Sequence, residues 1–474
     1  MRMEQPQFQL MDEDQLSVEL IDAQYNLKKT RGQKNAKSLV ILVNGIELAG
    51  KGEAVKQLRE WVDPRYLRVK ADKPQLAGPK QTLWQPYARF IPAEGQIMVL
   101  FGNWYSDLLG SAMQAESPLS DAQFDEYLQE MQAFEQDLKN NHVDVIKVWF
   151  DLSWKVLQKR LDAMDPSETH WHQLHGLDWR NRKEYDTLQR LRQRFTEDWF
   201  IIDGEDEQQR DQQFAQYILS ALKHCPDHPA RAKGRWKQAK IPEQLKHPSK
   251  TQAQPEDYKP ELKKLTAKVA KAMRSDSRNV VILFEGMDAA GKGGAIRRIT
   301  HALDARAYRV HPVAAPSEHE RSYPWLWRFW RDVPRDGMVA LFDRSWYGRV
   351  LVERVEGFAA ENDWMRAFDE INAFEQEWCR HGAIVCKFWL DVSPEEQLRR
   401  FNERSRTRFK RFKITPDDWR NRERWPQYIP AVRDMLARTQ IDAAPWSVIQ
   451  SDDKYQARID ILRALCSRLE SALR

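Results

Sequence analysis

A short apolar run that ends in a glycine-rich, lysine-bearing turn occurs twice in this chain. Residues 40–53 read VILVNGIELAGKGE and residues 281–294 read VILFEGMDAAGKGG. In each, a glycine, four residues and Gly-Lys-Gly follow a run apolar enough to be buried on both faces. Such a loop needs a strand before it and a helix after it, which confines each copy to an α/β architecture. The copies belong to a longer repeat. AFEQDL and AFEQEW, VWFDLS and FWLDVS, and two copies of DWRNR recur in the same order, matched residues lying 240 or 241 positions apart. Duplication of a whole domain accounts for this better than an array of short repeats, which would need many copies.

At 474 residues the chain exceeds one ordinary core and suits two or three domains, two being the natural starting point. Within each half the order of elements is the same: a helical lead-in, the strand and loop, a helix from Gly-Lys, and a second strand (IMVLFG, MVALFD). Long amphipathic helices, a third strand (VIKVWFD, IVCKFWLD), a charged helix and a last short strand (WFIID, SVIQS) complete it. Apolar runs alternating with helices indicate a parallel sheet covered on both faces, so the expected fold is α/β, two tandem three-layer domains with parallel central sheets and a helical lid. Residues 226–261, rich in proline, lysine and glutamine, read as a linker between a first domain at 1–225 and a second at 262–474. No run approaches the roughly 20 apolar residues of a membrane span. The first residues lack the apolar stretch of a secretory signal, and Cys225, Cys379, Cys386 and Cys466 lack disulfide or zinc spacing, so free thiols and a cytoplasmic location are expected.

The second loop carries the groups that phosphate chemistry needs. Gly286, Gly291, Gly293 and Gly294 permit a tight turn, the helix start aims backbone N–H groups at one point, and Lys292 adds a charge for a phosphate oxygen. The hydroxyl that usually follows the lysine and holds magnesium is absent, since Gly293 stands there. Asp288, inside the loop, would be costly beside phosphate unless a cation bridges them. Asp343 ends the second strand, where a parallel sheet faces its ligands, and is a second magnesium ligand or a base; Arg344 would neutralise moving charge, with Arg349 as helper. Their bland alternative is a helix cap. Between Leu398 and Lys413 stand Arg399, Arg400, Arg404, Arg406, Arg408, Lys410, Arg411 and Lys413 against the single acid Glu403, a density that calls for an anion and suits a lid.

EGMDAAGKGG, FDRSWYGRVLVERV, INAFEQEW and the basic segment followed by KITPDDWRNR together resemble the polyphosphate kinase 2 family of P-loop kinases, over nearly all of the second half and more weakly over the first. The tandem layout resembles the family's two-domain members, which phosphorylate AMP to ADP with inorganic polyphosphate. The resemblance implies a polyphosphate donor on the loop, an AMP or ADP acceptor beside the lid, and Mg2+, with Mn2+ as an alternative. It further implies that Asp288 and Asp343 manage metal and acceptor, and that Lys292, Arg344 and Arg404 stabilise the transferred phosphoryl. Arg349, Arg408 and Lys410 complete the expected phosphate contacts.

The first half departs from this pattern. Glu47 stands for Asp288, Gly102 and Asn103 for Asp343 and Arg344, and Met164 for Arg404, while the lid region 158–173 carries acids among its bases. Lys51 survives alone. The first half is therefore expected to be non-catalytic and to form a pseudo-dimer with the second, unless the chain forms a homo-oligomer. An ATP-dependent nucleoside monophosphate kinase is the rival enzyme; the missing hydroxyl after Lys292 argues against it. A non-catalytic polyphosphate- or nucleic-acid-binding protein is the rival of another class, and the aromatic residues of WLWRFW and WRNRERW, spaced as core faces, argue against nucleic acid.

Overall fold

The computed structural model describes residues 6–33, 36–71, 82–114, 117–164, 177–223, 239–240, 243, 257–275, 278–331, 337–408 and 414–472. Most of the expected linker, residues 165–173 and residues 409–413 lie outside these. The chain partitions into two compact units, Met1–Pro229 with Pro316–Arg331, and Ala230–Ala315 with Asp332–Arg474.

The first unit contains a sheet of β1 (Ser38–Gly45), β2 (Leu67–Ala71), β3 (Ile97–Phe101), β4 (Val143–Asp151) and β5 (Phe200–Asp203), in the order β2-β3-β1-β4-β5. The second has β6 (Val280–Gly286), β7 (Tyr308–Pro312), β8 (Val339–Asp343), β9 (Ile384–Asp391) and β10 (Trp446–Gln450), in the order β10-β9-β6-β8-β7. Every pairing within both sheets is parallel. With right-handed crossovers, that order puts the helix after the first strand of each unit on one face and the helices after the next three strands on the other. The packing agrees. In the second unit the helices Tyr258–Ser275, Lys292–His301 and Lys454–Ala472 pack on one another, whereas Val352–Val355 packs against Glu361–Arg380 and Trp425–Arg438.

The central strand explains itself. Val281, Ile282, Leu283 and Phe284 of β6 are fully buried, as neighbours on both edges and helices on both faces require. Each contributes roughly 1.5–3 kcal/mol through removal from water. The sequence pattern yields four strands per half and the described residues form five: β2 and β7 are edge strands whose residues are mostly half-buried or exposed, so LRVKA and YRVHP carry too little apolar signal to register.

The repeated FEQ motif is structural. Glu375 meets the buried Lys387 ammonium at 2.7 Å through one oxygen, and its other oxygen accepts from Trp346 Nε1 and Tyr347 OH, each at 2.9 Å. Both charges are wholly buried. They fasten the turn after β8 to the helix Glu361–Arg380 and to β9, and this turn carries Arg344. The first unit repeats the device with Lys147, Glu135 and Trp104.

Candidate functional site

The loop between β6 and the helix Lys292–His301 lies at the carboxyl edge of the sheet, where ligands bind in open α/β folds. Gly286 must be glycine: a β-carbon there would come within 2.6 Å of the Leu390 carbonyl oxygen. Gly291 takes φ +115° and caps the start of the helix with no side chain, so the first N–H groups receive no side-chain cap from it. Lys292 folds back over the turn, its ammonium donating to the carbonyls of Gly286 at 2.7 Å and Met287 at 3.2 Å. Burial and the neighbouring Arg344 lower its pKa, while Asp288, Asp343 and Glu285 oppose them.

Asp288 is the best-anchored acid of the site. Arg344 Nη2 donates to Oδ1 at 2.6 Å, Asn421 Nδ2 donates to Oδ2 at 2.8 Å, and Gln397 Nε2 holds the backbone carbonyl of the same residue at 3.0 Å. Asp343 ends β8 with its backbone in register with Phe284. Among the described residues its carboxylate accepts no hydrogen bond, although Lys292 and Arg344 both feel its charge. Burial alone would lower Arg344, but Asp288, Glu285 and Asp343 outweigh it and the guanidinium ends above its ordinary pKa. Arg344 adopts φ +65°, a conformation costing an arginine on the order of 1 kcal/mol, the kind of strain that collects at functional sites.

The remaining expected residues divide. Arg404 is half-buried, and burial lowers its pKa against the pull of Asp418 and Asp288. Arg349 spends its guanidinium on Glu353, at 2.8 Å. Arg408 is exposed at the end of the described lid segment, and Lys410 lies outside the described residues. Gly293 and Gly294 form the first turn of the helix. The basic segment is less free than its composition suggests. Arg399 and Arg400 both pair with Glu396, just outside the segment, and Arg400 also donates to the carbonyls of Ala289 and Ser451, so it braces the loop from behind. Trp327, Phe329 and Trp330 are buried as expected, whereas Trp419 is exposed.

Three residues escaped the sequence reading. Asn421, Glu285 and Tyr428 line one cavity with Gly286, Met287, Asp288, Arg344 and Trp389. Glu285 is buried and accepts from Ser345 Oγ at 2.8 Å; burial raises its pKa to about 7 despite that bond and the nearby Lys292 and Arg344. Tyr428 is pushed to about 12 by burial, then by Glu356 and Asp288. A signal for Glu285 existed: the first loop has Asn44 in its place.

The first unit builds the same loop with different chemistry. Lys51 donates to the carbonyls of Gly45 and Ile46, as Lys292 does to theirs, but also pairs with Glu47 at 3.3 Å. Strand register corrects the expected match between the halves. Val43 pairs with Phe101 where Phe284 pairs with Asp343, so Phe101, not Gly102, stands for Asp343. Gly102 stands for Arg344, both with positive φ, and Asn103 for Ser345, each accepting from the amide two residues on. The offset here is one residue longer than at the loops, which the likeness of FGNWY to FDRSWY conceals. Asn103 bonds Asn44 at 3.0 Å, so both units keep a polar link at this point and only the second keeps carboxylates and an arginine.

Asp288 and Asp343 offer hard oxygen donors beside the glycine-lysine loop, a donor set suited to Mg2+ or a similar cation. The geometry thus brings together a glycine loop at a helix start, a buried lysine, a half-buried arginine and carboxylates, the kinds of parts phosphoryl transfer uses.

Known proteins share this architecture. The polyphosphate kinase 2 profile matches residues 9–228 and again 247–474. A polyphosphate:AMP phosphotransferase of Acinetobacter johnsonii is 62% identical over 462 residues, covering 98% of this chain and 97% of its own length. One from Pseudomonas aeruginosa is 40% identical, covering 97% and 95%. A crystal structure of a candidate polyphosphate kinase 2 from Pseudomonas aeruginosa PA01 superposes with a TM-score of 0.79 at 37% identity, over 97% of this chain and 95% of that one.

Proposed function

Because the chain belongs to the polyphosphate kinase 2 family, we propose that it moves the terminal phosphoryl of inorganic polyphosphate to AMP, giving ADP, and does so reversibly in its second half. The observation that carries this reading is the loop acid Asp288, held by Arg344 and Asn421 beside Lys292, with the Asp343 carboxylate uncommitted across the cleft. A phosphate oxygen of AMP attacks the terminal phosphorus of the donor; the bridging P–O bond breaks, and the shortened polyphosphate leaves with the electron pair. Loop N–H groups, with Gly286, Gly291, Gly293 and Gly294 allowing close approach, bind the donor, and Lys292 balances its charge. In this reading Arg344 follows the phosphoryl in flight, Arg404 approaches from the lid, and Arg408 and Arg349 support donor binding, a role also expected of Lys410, which lies outside the described residues. Asp288 and Asp343 would hold Mg2+ or Mn2+, which supplies charge neutralisation between phosphates. Residues 262–474 then form the catalytic domain and 1–225 a domain without turnover. A nucleotide acceptor and the free thiols Cys379, Cys386 and Cys466 favour the cytoplasm; no helix among the described residues is long and apolar enough to cross a membrane.

The test compares donors on purified protein. ADP should form from AMP with polyphosphate and far more slowly with ATP; the reverse preference would give the site to a nucleoside monophosphate kinase, and no turnover with either donor would leave a binding protein.

A further inference from the structure

The two phosphate loops differ in what lies against them. Gly291 of the second loop is exposed, and a β-carbon built there would meet nothing within 4 Å. Gly50, its counterpart, is buried, and a β-carbon there would overlap the guanidinium of Arg210. Arg210 is itself only 2% exposed.

The arginine occupies an equivalent position to an alanine. Asp203 pairs with Asp151 as Gln450 pairs with Asp391, which sets the helices after β5 and β10 in register. Arg210 N donates to the Asp206 carbonyl at 3.0 Å, and Ala457 N donates to the Asp453 carbonyl at 2.9 Å. The methyl group of Ala457 leaves the second loop open; the long side chain at the same place covers the first.

The charges around the first loop are also already matched. Arg210 Nε donates to Asp211 at 2.8 Å, and Lys51 pairs with Glu47. Glu53 adds a third acid: together with Glu207 it reinforces the burial that raises Asp211's carboxyl. In the second loop the places of Glu53 and Asp211 are held by Gly294 and Arg458, and Asp288, in place of Glu47, turns to Arg344 instead of the loop lysine. A polyanion approaching the first loop would meet acids whose cations are engaged, with the open face of the glycine filled.

We propose that Arg210 closes the first phosphate loop, so that one chain seats a single polyphosphate, at the loop of Lys292. Loss of catalytic side chains accounts for lost turnover; this closure removes donor binding as well. The inference rests on the reading of the second loop as the donor site.

Two measurements on the full-length chain test it. Titration calorimetry with inorganic tripolyphosphate should give one site per chain, weakened at least tenfold by Lys292→Ala and unchanged by Lys51→Ala, with Lys51→Met as the milder variant if the alanine form melts early. Two sites per chain, or loss of a site in either Lys51 variant, would overturn the closure. Phenylglyoxal modification mapped by mass spectrometry gives a readout independent of binding at Lys292. Arg210 should stay unmodified in the folded protein with or without tripolyphosphate, while Arg344 should react and be protected by the ligand. An Arg210 that reacts in the free protein and is shielded by tripolyphosphate would show an open loop. Absence of any binding would defeat the donor reading of the second loop, and Arg210 reactivity would still decide the closure.

Discussion

Replacing Glu285 by glutamine should make the second unit more stable at neutral and alkaline pH. The carboxyl is buried at the end of β6, and its pKa is raised from 4.5 to about 7. Between those values the folded chain binds a proton that the unfolded chain has released, so stability is fully present below the unfolded value and is lost as pH rises through the folded one. At about 1.4 kcal/mol per pH unit of separation, ionising Glu285 in place costs about 3 kcal/mol. Glutamine keeps an oxygen to accept from Ser345 Oγ, much as Asn44 keeps a link to Asn103 in the first unit, but does not ionise. The variant and the parent should therefore agree near pH 4, below the unfolded value, and diverge by about 3 kcal/mol near pH 8. Urea titrations of the full-length chain across that range, with brief proteolysis pulses mapped by mass spectrometry, follow β6 separately from the first unit. Parallel pH profiles would refute the argument. The same variant should turn over more slowly, because stability at a site of this kind is commonly surrendered for function.

Three further outcomes follow from the geometry. Arg344→Gly copies the first unit's Gly102, relaxes a strained backbone and removes one charge from the site; kcat should fall on the order of 10²–10³-fold with thermal stability little changed, and unaltered steady-state kinetics would contradict the assignment. Lys387→Met strands Glu375 in the core and should cost about 3–5 kcal/mol in denaturant unfolding, since breaking one partner of a buried pair leaves an uncompensated charge; a loss under about 1 kcal/mol would show that the pair is hydrated or replaceable. Chelation of divalent cations should abolish ADP formation, and added Mg2+ should restore it, if Asp288 and Asp343 hold a metal; activity persisting in chelator would count against that role.

The parts of this fold with strong periodicity or fixed backbone demands were legible without coordinates. The central strands are long apolar runs, and the glycines of the loop answer a backbone approach that only glycine permits, so the duplication, the parallel α/β class and the phosphate loop all appeared in the sequence. Edge strands β2 and β7 did not, because one side of each faces solvent and their residues alternate too weakly. The pairing of Asp343 with Gly102 failed for another reason: chemical similarity of the FGNWY and FDRSWY segments suggested an alignment that register contradicts by one residue. Charge counting overstated the lid, since Glu396 lies outside the basic run in sequence but pairs with two of its arginines in space. Glu285 and Asn421 were visible letters without a visible role. Only the fold brings Asn421 to Asp288, 133 positions away.

The most direct test of the whole account is ADP formation from AMP and polyphosphate by Lys292→Ala and by Lys51→Ala, measured side by side on folded protein. The account predicts that the first substitution removes nearly all turnover and the second leaves it near the parent rate. Equal losses from the two lysines would contradict it, because both loops would then be doing the chemistry.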